Sequence, residues 1–334
     1  MSSVLVIGGA GYIGSHAVKA LRGRGTDVVV YDNLSAGHRA AARFATALVE
    51  GEIQDTQRLR ETIRRFDVEA VMHFAALTSV GVSVTDPLGY YANNVGGTLS
   101  VLSAMAAERV NKFVFSSTAA VFGNPVTTPM SEEHPTVPIN PYGETKLAVE
   151  RALPYFERAY DIRSVALRYF NAAGADPDGE LGEDHDPELH LIPRALDAAA
   201  GRGTFQIFGE DYDTPDGTCL RDYIHVMDLA DAHIRALEAL EQGAPSDAFN
   251  VGTGTPHSVK TVIDAVSRVV GRPVAWQPAP RRPGDPAVLY AAADRARNEL
   301  GWQPKYRDLE DIIRHAWQWH SRHPGGYRGT SDPT

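Results

Sequence analysis

Short apolar runs punctuate the first half of the chain at residues 4–7, 27–31, 70–74, 112–116 and 164–168. Most are unbroken rather than alternating, which fits strands covered on both faces. Between them lie stretches of helical period, notably 15–22 and 99–108, and a longer one from Tyr142 and Lys146 to residue 160. Pro141 suits the first turn of that long helix and Asn140 its N-cap. Strand and helix in alternation predict a parallel, doubly wound sheet with right-handed crossovers.

After Asn171 the texture changes. Residues 174–188 are rich in Gly, Asp, Glu and Pro, a loop signal. Shorter elements follow: helices at 191–200, 226–240, 259–270 and 308–320, and strands at 205–208 and 274–277. The fold class expected is α/β, a Rossmann-type doubly wound parallel sheet with a smaller mixed α/β C-terminal domain. Residues 1–171 form the nucleotide-binding unit and 172–334 the substrate unit. The helix near 226–240 packs back onto the first, and the tail from residue 324 is loose.

The bulk numbers narrow the class. The chain has 334 residues, 43% hydrophobic and 22% charged, with a net charge of −10. An acidic chain argues against non-specific nucleic-acid binding, whose footprint is basic. No apolar run reaches membrane-spanning length, none near the start suits a signal peptide, and the single cysteine, Cys219, fits a reducing compartment. A cytoplasmic protein that binds neither membrane nor nucleic acid is expected. Cys219 reads as a packed small residue, and no metal is assigned.

Two motifs carry chemistry. Gly8-x-x-Gly11-x-x-Gly14 follows the first strand and opens a helix. Gly8 permits the tight turn, Gly11 lets backbone approach a pyrophosphate, and Gly14 lets the helix pack closely. The helix N-terminus then presents unsatisfied N–H groups to phosphate. Asp32, 18 residues past Gly14, ends the second strand and suits ribose hydroxyls, which favours NAD over NADP. Asn33 follows it, Glu52 and Ile53 flank the adenine, and Ala75 and Ala76 end a later strand. Tyr142 and Lys146, at i and i+4, share one helix face. A free phenol ionises near pH 10, and lowering that by about three units takes about 4 kcal/mol, within reach of two nearby cations. Thr118, just past a strand end, is a candidate to bond both that phenol and a substrate oxygen, with Ser116 and Ser117 as its competitors.

In these residues the chain resembles the UDP-galactose (UDP-glucose) 4-epimerases, a family of extended short-chain dehydrogenase/reductases. The matching runs are GGAGYIG at 8–14, HFAA at 73–76, YANNV at 91–95, FSST at 115–118, PYGETK at 141–146, LRYFN at 167–171, RDYIHVMD at 221–228 and PRRPGD at 280–285. They span nearly the whole chain. The resemblance implies NAD held against the glycine turn with Tyr12 and Ile13, against Phe74, Asn94, Ser116, Tyr169 and Phe170, and against the residues already named. It implies inversion at a sugar C4 through a 4-keto form, with Tyr142 as base, Lys146 as its electrostatic partner and Thr118 orienting the oxygen. For the UDP-sugar it implies Asn171, Arg221 and Arg282 at the diphosphate, Leu191, Phe208 and Tyr223 around uridine, and Asp285 at a ribose hydroxyl. His190 stands where many relatives have Asn, and Thr78 where some have Lys. Leu289 occupies a gate that decides between plain and N-acetylated sugars. Homodimers through helices 94–108 and 144–160 are common in the family.

The rivals differ in chemistry. Ala119 and Ala120 after Thr118 lack the carboxylate pair that a 4,6-dehydratase needs. Epimerisation of a UDP-N-acetylhexosamine, UDP-arabinose or a UDP-uronate, and a non-catalytic NAD-binding regulator, are the alternatives.

Overall fold

In the computed structural model, which describes residues 3–282 and 285–328, the continuous apolar runs form the interior of a seven-stranded parallel sheet. The spatial order is Asp247–Val251, Arg163–Tyr169, Lys112–Ser116, Val68–His73, Ser3–Ile7, Asp27–Asp32 and Ala47–Glu50. Leu5, Val6 and Ile7 are fully enclosed, as is each side chain of 28–31 to within a few per cent. Burial on both faces is what an unbroken run demands. One face carries the Tyr12–Gly23 helix, with Val226–Glu241 packed against it. The other is covered by Thr56–Arg65 and Thr98–Glu108.

The order of the strands reverses beside Ser3–Ile7, which is flanked by the second strand on one side and the fourth on the other. In an open parallel sheet the crevice beyond the strand ends at such a point is where ligands bind.

Among the elements that were not anticipated, three shape the architecture. Ala47–Glu50 and Asp247–Val251 are the two edge strands, and Leu220–His225 centres a small second sheet. The chain thus returns to the first sheet after residue 171. A strand expected at 274–277 lies at Trp276–Ala279, paired with Phe205–Phe208. A third apolar cluster joins Leu191–Ala199, Val259–Val270 and Leu309–Arg322.

The expectation of a loose tail from residue 324 is corrected as far as Arg328. The Tyr327 ring packs 5.0 Å from His38 and 5.2 Å from Trp319, and its backbone N–H donates to Asp184 at 2.8 Å. Aromatic packing ties down a segment whose place at the chain end suggested that it was free. Residues 329–334 lie outside the description, as do Pro283 and Gly284 of the 280–285 run. Among the described residues no helix is long and apolar enough to cross a membrane.

Candidate active site

A cleft of about 510 Å³ opens where the strand order reverses. Its floor is the glycine turn. Gly8 adopts φ +79°, and a Cβ there would meet the Ala75 nitrogen at 2.5 Å. A Cβ on Gly14 would lie 2.2 Å from the Gly8 carbonyl oxygen. Gly11 is different: the nearest atom to a Cβ there is 3.4 Å away, and the residue faces the cleft. The Tyr12–Gly23 helix begins at Gly11 with no side-chain cap and no acid in its first turn. Its N–H groups are therefore left for an anion. A crowded turn with one open glycine, ending in an uncapped helix, fits a dinucleotide pyrophosphate.

Asp32 is held at the rim. Its two carboxylate oxygens accept from the Ala10 and Leu34 N–H groups, each at 2.9 Å. Burial raises its pKa and those two bonds oppose the rise. Each oxygen keeps a lone pair for a ribose hydroxyl.

The opposite wall carries the Pro141–Tyr160 helix, capped by Asn140 accepting from the Gly143 N–H at 2.9 Å. Tyr142 sits in its first turn and Thr118 at the end of the Lys112–Ser116 strand, and both side chains line the cleft. Burial pushes the Tyr142 phenol up, with the Thr118 hydroxyl pulling the other way. Lys146 lies one turn below and 3% exposed, its ammonium donating to the Ser116 carbonyl at 2.8 Å and resting 4.9 Å from the Phe115 ring centre. Burial lowers Lys146 to about 7, against the pull of Glu150. In the protein alone desolvation dominates both groups, raising the phenol and lowering the ammonium. Behind them Glu150 accepts from Ser117 at 2.5 Å and from Arg168 at 2.6 Å, which fixes the helix against two strands.

The third wall comes from beyond residue 171. Asn171, His190, Arg221, Asp285 and Leu289 all line the cleft. Arg221 is ion-paired with Asp285. Cys219 lies buried beside this pair, its thiol raised by burial.

Most anticipated residues meet in this one cleft, among them Gly8, Gly11, Tyr12, Ile13, Gly14, Asp32, Asn33, Ile53, Phe74, Ala75, Ala76, Tyr169 and Phe170. Thr78 and Leu289 also reach it. Others do not line it. Asn94 is 2% exposed, its amide spent on Leu77 and Thr145, while its neighbour Asn93 faces the cleft. Glu52 accepts from Asn33 at 2.9 Å. Ser116 pairs with the Tyr169 hydroxyl at 2.8 Å. Leu191, Phe208, Tyr223 and Arg282 are outside the cleft lining, and the Arg282 guanidinium stacks 4.1 Å over Phe208. Sequence reasoning missed Ser35, Ala36 and Gly37, which continue the rim after Asn33, and His185. The small-residue run after the acidic strand end was the available signal for the first three.

Fold and cleft together define a Rossmann-type dinucleotide site of the short-chain dehydrogenase/reductase kind. The NAD dependent epimerase/dehydratase family model matches residues 4–252, and the chain belongs to that family. It is 52% identical over 326 residues to a UDP-glucose 4-epimerase of Halalkalibacterium halodurans, covering 97% of each chain. Among solved structures it resembles the UDP-glucose 4-epimerase from Brucella ovis in complex with NAD, at TM-score 0.93 and 51% identity over 96% of this chain and 98% of that one. It also resembles the enzyme from Bifidobacterium longum in complex with NAD⁺ and UDP, at TM-score 0.91 and 37% identity over 97% and 100%.

Proposed function

We propose that this protein interconverts UDP-galactose and UDP-glucose by inverting the sugar C4 through a transient 4-keto form, using tightly held NAD. The observation that carries this reading is that the Tyr142 and Thr118 hydroxyls share one cleft with both the glycine turn and the Arg221–Asp285 wall. The 1–171 unit holds the dinucleotide through Gly8, Gly11, Gly14 and Asp32, and the 172–334 unit holds the UDP-sugar. NAD, when bound, supplies a positively charged hydride acceptor that gives the hydride back.

Tyr142 receives the proton of the sugar 4-hydroxyl and later returns it. A buried phenol is a poor base by itself, so its ionisation depends on positive charge brought into the cleft. Lys146 is poised for that balance, because burial has brought its own pKa close to neutrality. Thr118 orients the oxygen that loses its proton. Arg221, with Asn171, grips the diphosphate by charge-assisted bonds, which leaves the hexose free to turn and present its other face.

Pairing into a cytoplasmic homodimer is part of the same reading. It is supported by exposed apolar side chains on the two helices concerned, Leu99 at 41%, Tyr155 at 66% and Tyr160 at 57%. The direct test is to incubate purified protein with UDP-galactose, without added NAD, and follow UDP-glucose by NMR. Conversion is expected, and its absence at any protein concentration would remove the proposal.

A further inference from the structure

Beside the substrate wall, one eight-residue stretch brings four metal-ligating side chains to a point. Glu183, His185, Glu188 and His190 each offer one ligand atom, and these atoms all lie within 4.8 Å of one another. We propose that these four residues form a binding site for a single zinc-class divalent cation, which fixes the 183–190 loop as a wall of the cleft.

Geometry supports the assignment. Two ligands on a four-coordinate zinc, with bonds near 2.0–2.1 Å, stand about 3.4 Å apart. The His185 Nδ1 is 3.4 Å from the nearer Glu183 oxygen and 3.5 Å from Glu188 Oε2, and the His190 Nδ1 is 3.6 Å from Glu188 Oε1. The His185 Nδ1 thus already stands a tetrahedron's edge from one oxygen of each glutamate, and His190 stands at a similar distance from the other oxygen of Glu188. The remaining pair, His190 and Glu183, is joined by a 2.5 Å hydrogen bond. His190 is the most exposed member, at 58% of its side chain, and can swing outward by the ~1 Å needed.

The charges point the same way. Glu183 is 3% exposed, and among the described residues no lysine or arginine pairs with Glu183 or Glu188. The nearby acidic trio Asp176, Asp178 and Glu180 is instead closed by the Lys19 ammonium at 2.7, 2.9 and 2.7 Å. The His185 Nδ1 is buried without a hydrogen-bond partner. Two imidazoles with two carboxylates favour a borderline ion over calcium or magnesium, which prefer oxygen throughout.

The supporting contacts hold the ligands in place. Glu188 Oε1 accepts from the His190 N–H at 2.8 Å, and the Tyr12 ring stands edge-on to His185 at 6.2 Å. His190 is also the residue that opens the Leu191–Ala199 helix. A bound ion would join the loop to that helix and set both His185 and His190 on the cleft wall. The spacing Glu-x-His-x-x-Glu-x-His was visible in the sequence, where only His190 had been singled out.

The test uses tag-free full-length protein with its cofactor retained, dialysed against chelator and titrated with Co²⁺. One equivalent should bind with the intense visible absorption of four-coordinate Co²⁺, and Zn²⁺ should displace it. Glu188→Gln and His185→Gln should each weaken Co²⁺ binding by at least about tenfold, with an unchanged far-ultraviolet circular dichroism spectrum. Glu188 is only partly buried, so its variant keeps the test decisive if His185→Gln fails to fold. No saturable binding, a weak six-coordinate spectrum, or binding altered by less than about tenfold in the folded variants would overturn the site. A cluster held only by imidazolium–carboxylate pairing gives the first of these results.

Discussion

The two sides of the cleft are built by different physics. The glycine-turn side is backbone and buried charge: Gly14 admits no Cβ, and Lys146 is sealed under the phenol it serves. The far side is made of longer side chains held by ion pairs and stacking, such as Arg221 on Asp285 and the exposed Arg282 over Phe208. One side is rigid because its atoms have nowhere to go, and the other is adjustable because its contacts are terminal groups. An enzyme that must hold a cofactor through many turnovers, yet let a hexose turn over within each one, needs that division.

The contrast can be broken most severely at Gly14. Gly14→Ala should cost roughly 3 kcal/mol or more, because its Cβ would press on the Gly8 backbone. The expected readout is a lower melting temperature together with loss of retained NAD, measured by absorbance after denaturation. Normal cofactor content would show that the turn can yield.

Tyr142→Phe should keep the fold and the cofactor yet lower turnover on the order of a hundredfold or more. Unchanged turnover would remove Tyr142 as the base.

Lys146 sharpens the comparison through pH. Its pKa falls from 10.5 to about 7 on folding, so the protein is destabilised as pH falls from 10.5 towards 7, and the deficit is complete below 7. Lys146→Met should therefore abolish turnover but raise the melting temperature near pH 6.5, a gain that fades towards pH 10.5. An equal gain at both pH values would contradict the burial argument.

Smallest is the effect expected on the adjustable side. Arg282→Ala should leave the melting temperature within a degree or two and weaken UDP binding by about tenfold in a calorimetric titration, in proportion to one lost charge-assisted contact. Unaltered UDP affinity would leave Arg282 as a stacking partner of Phe208 alone.

The same contrast explains what could be read from the sequence. Strands 4–7, 27–31 and 112–116 were legible because burial on both faces writes an unbroken apolar run. The edge strands were not: Ala47–Glu50 is only half-buried, and Asp247–Val251 carries a buried Asn250 whose amide donates to the Met130 carbonyl at 3.0 Å. The glycine turn and the Tyr142–Lys146 pair were legible because fixed backbone geometry demands fixed spacing. Asn93 facing the cleft in place of Asn94 was not, because it turns on the π-helical winding of Tyr91–Gly97, which the pattern of residues does not announce. His185 was missed for a different reason: its spacing to Glu183, Glu188 and His190 stands in the sequence, but only the folded loop brings the four side chains together.

Epimerisation as proposed oxidises a sugar carbon and undoes that oxidation at the same carbon within one cleft. UDP-galactose deuterated at C4 should therefore yield UDP-glucose that keeps its deuterium at C4, as read by NMR and mass spectrometry. Replacement of that deuterium by solvent hydrogen would contradict the account.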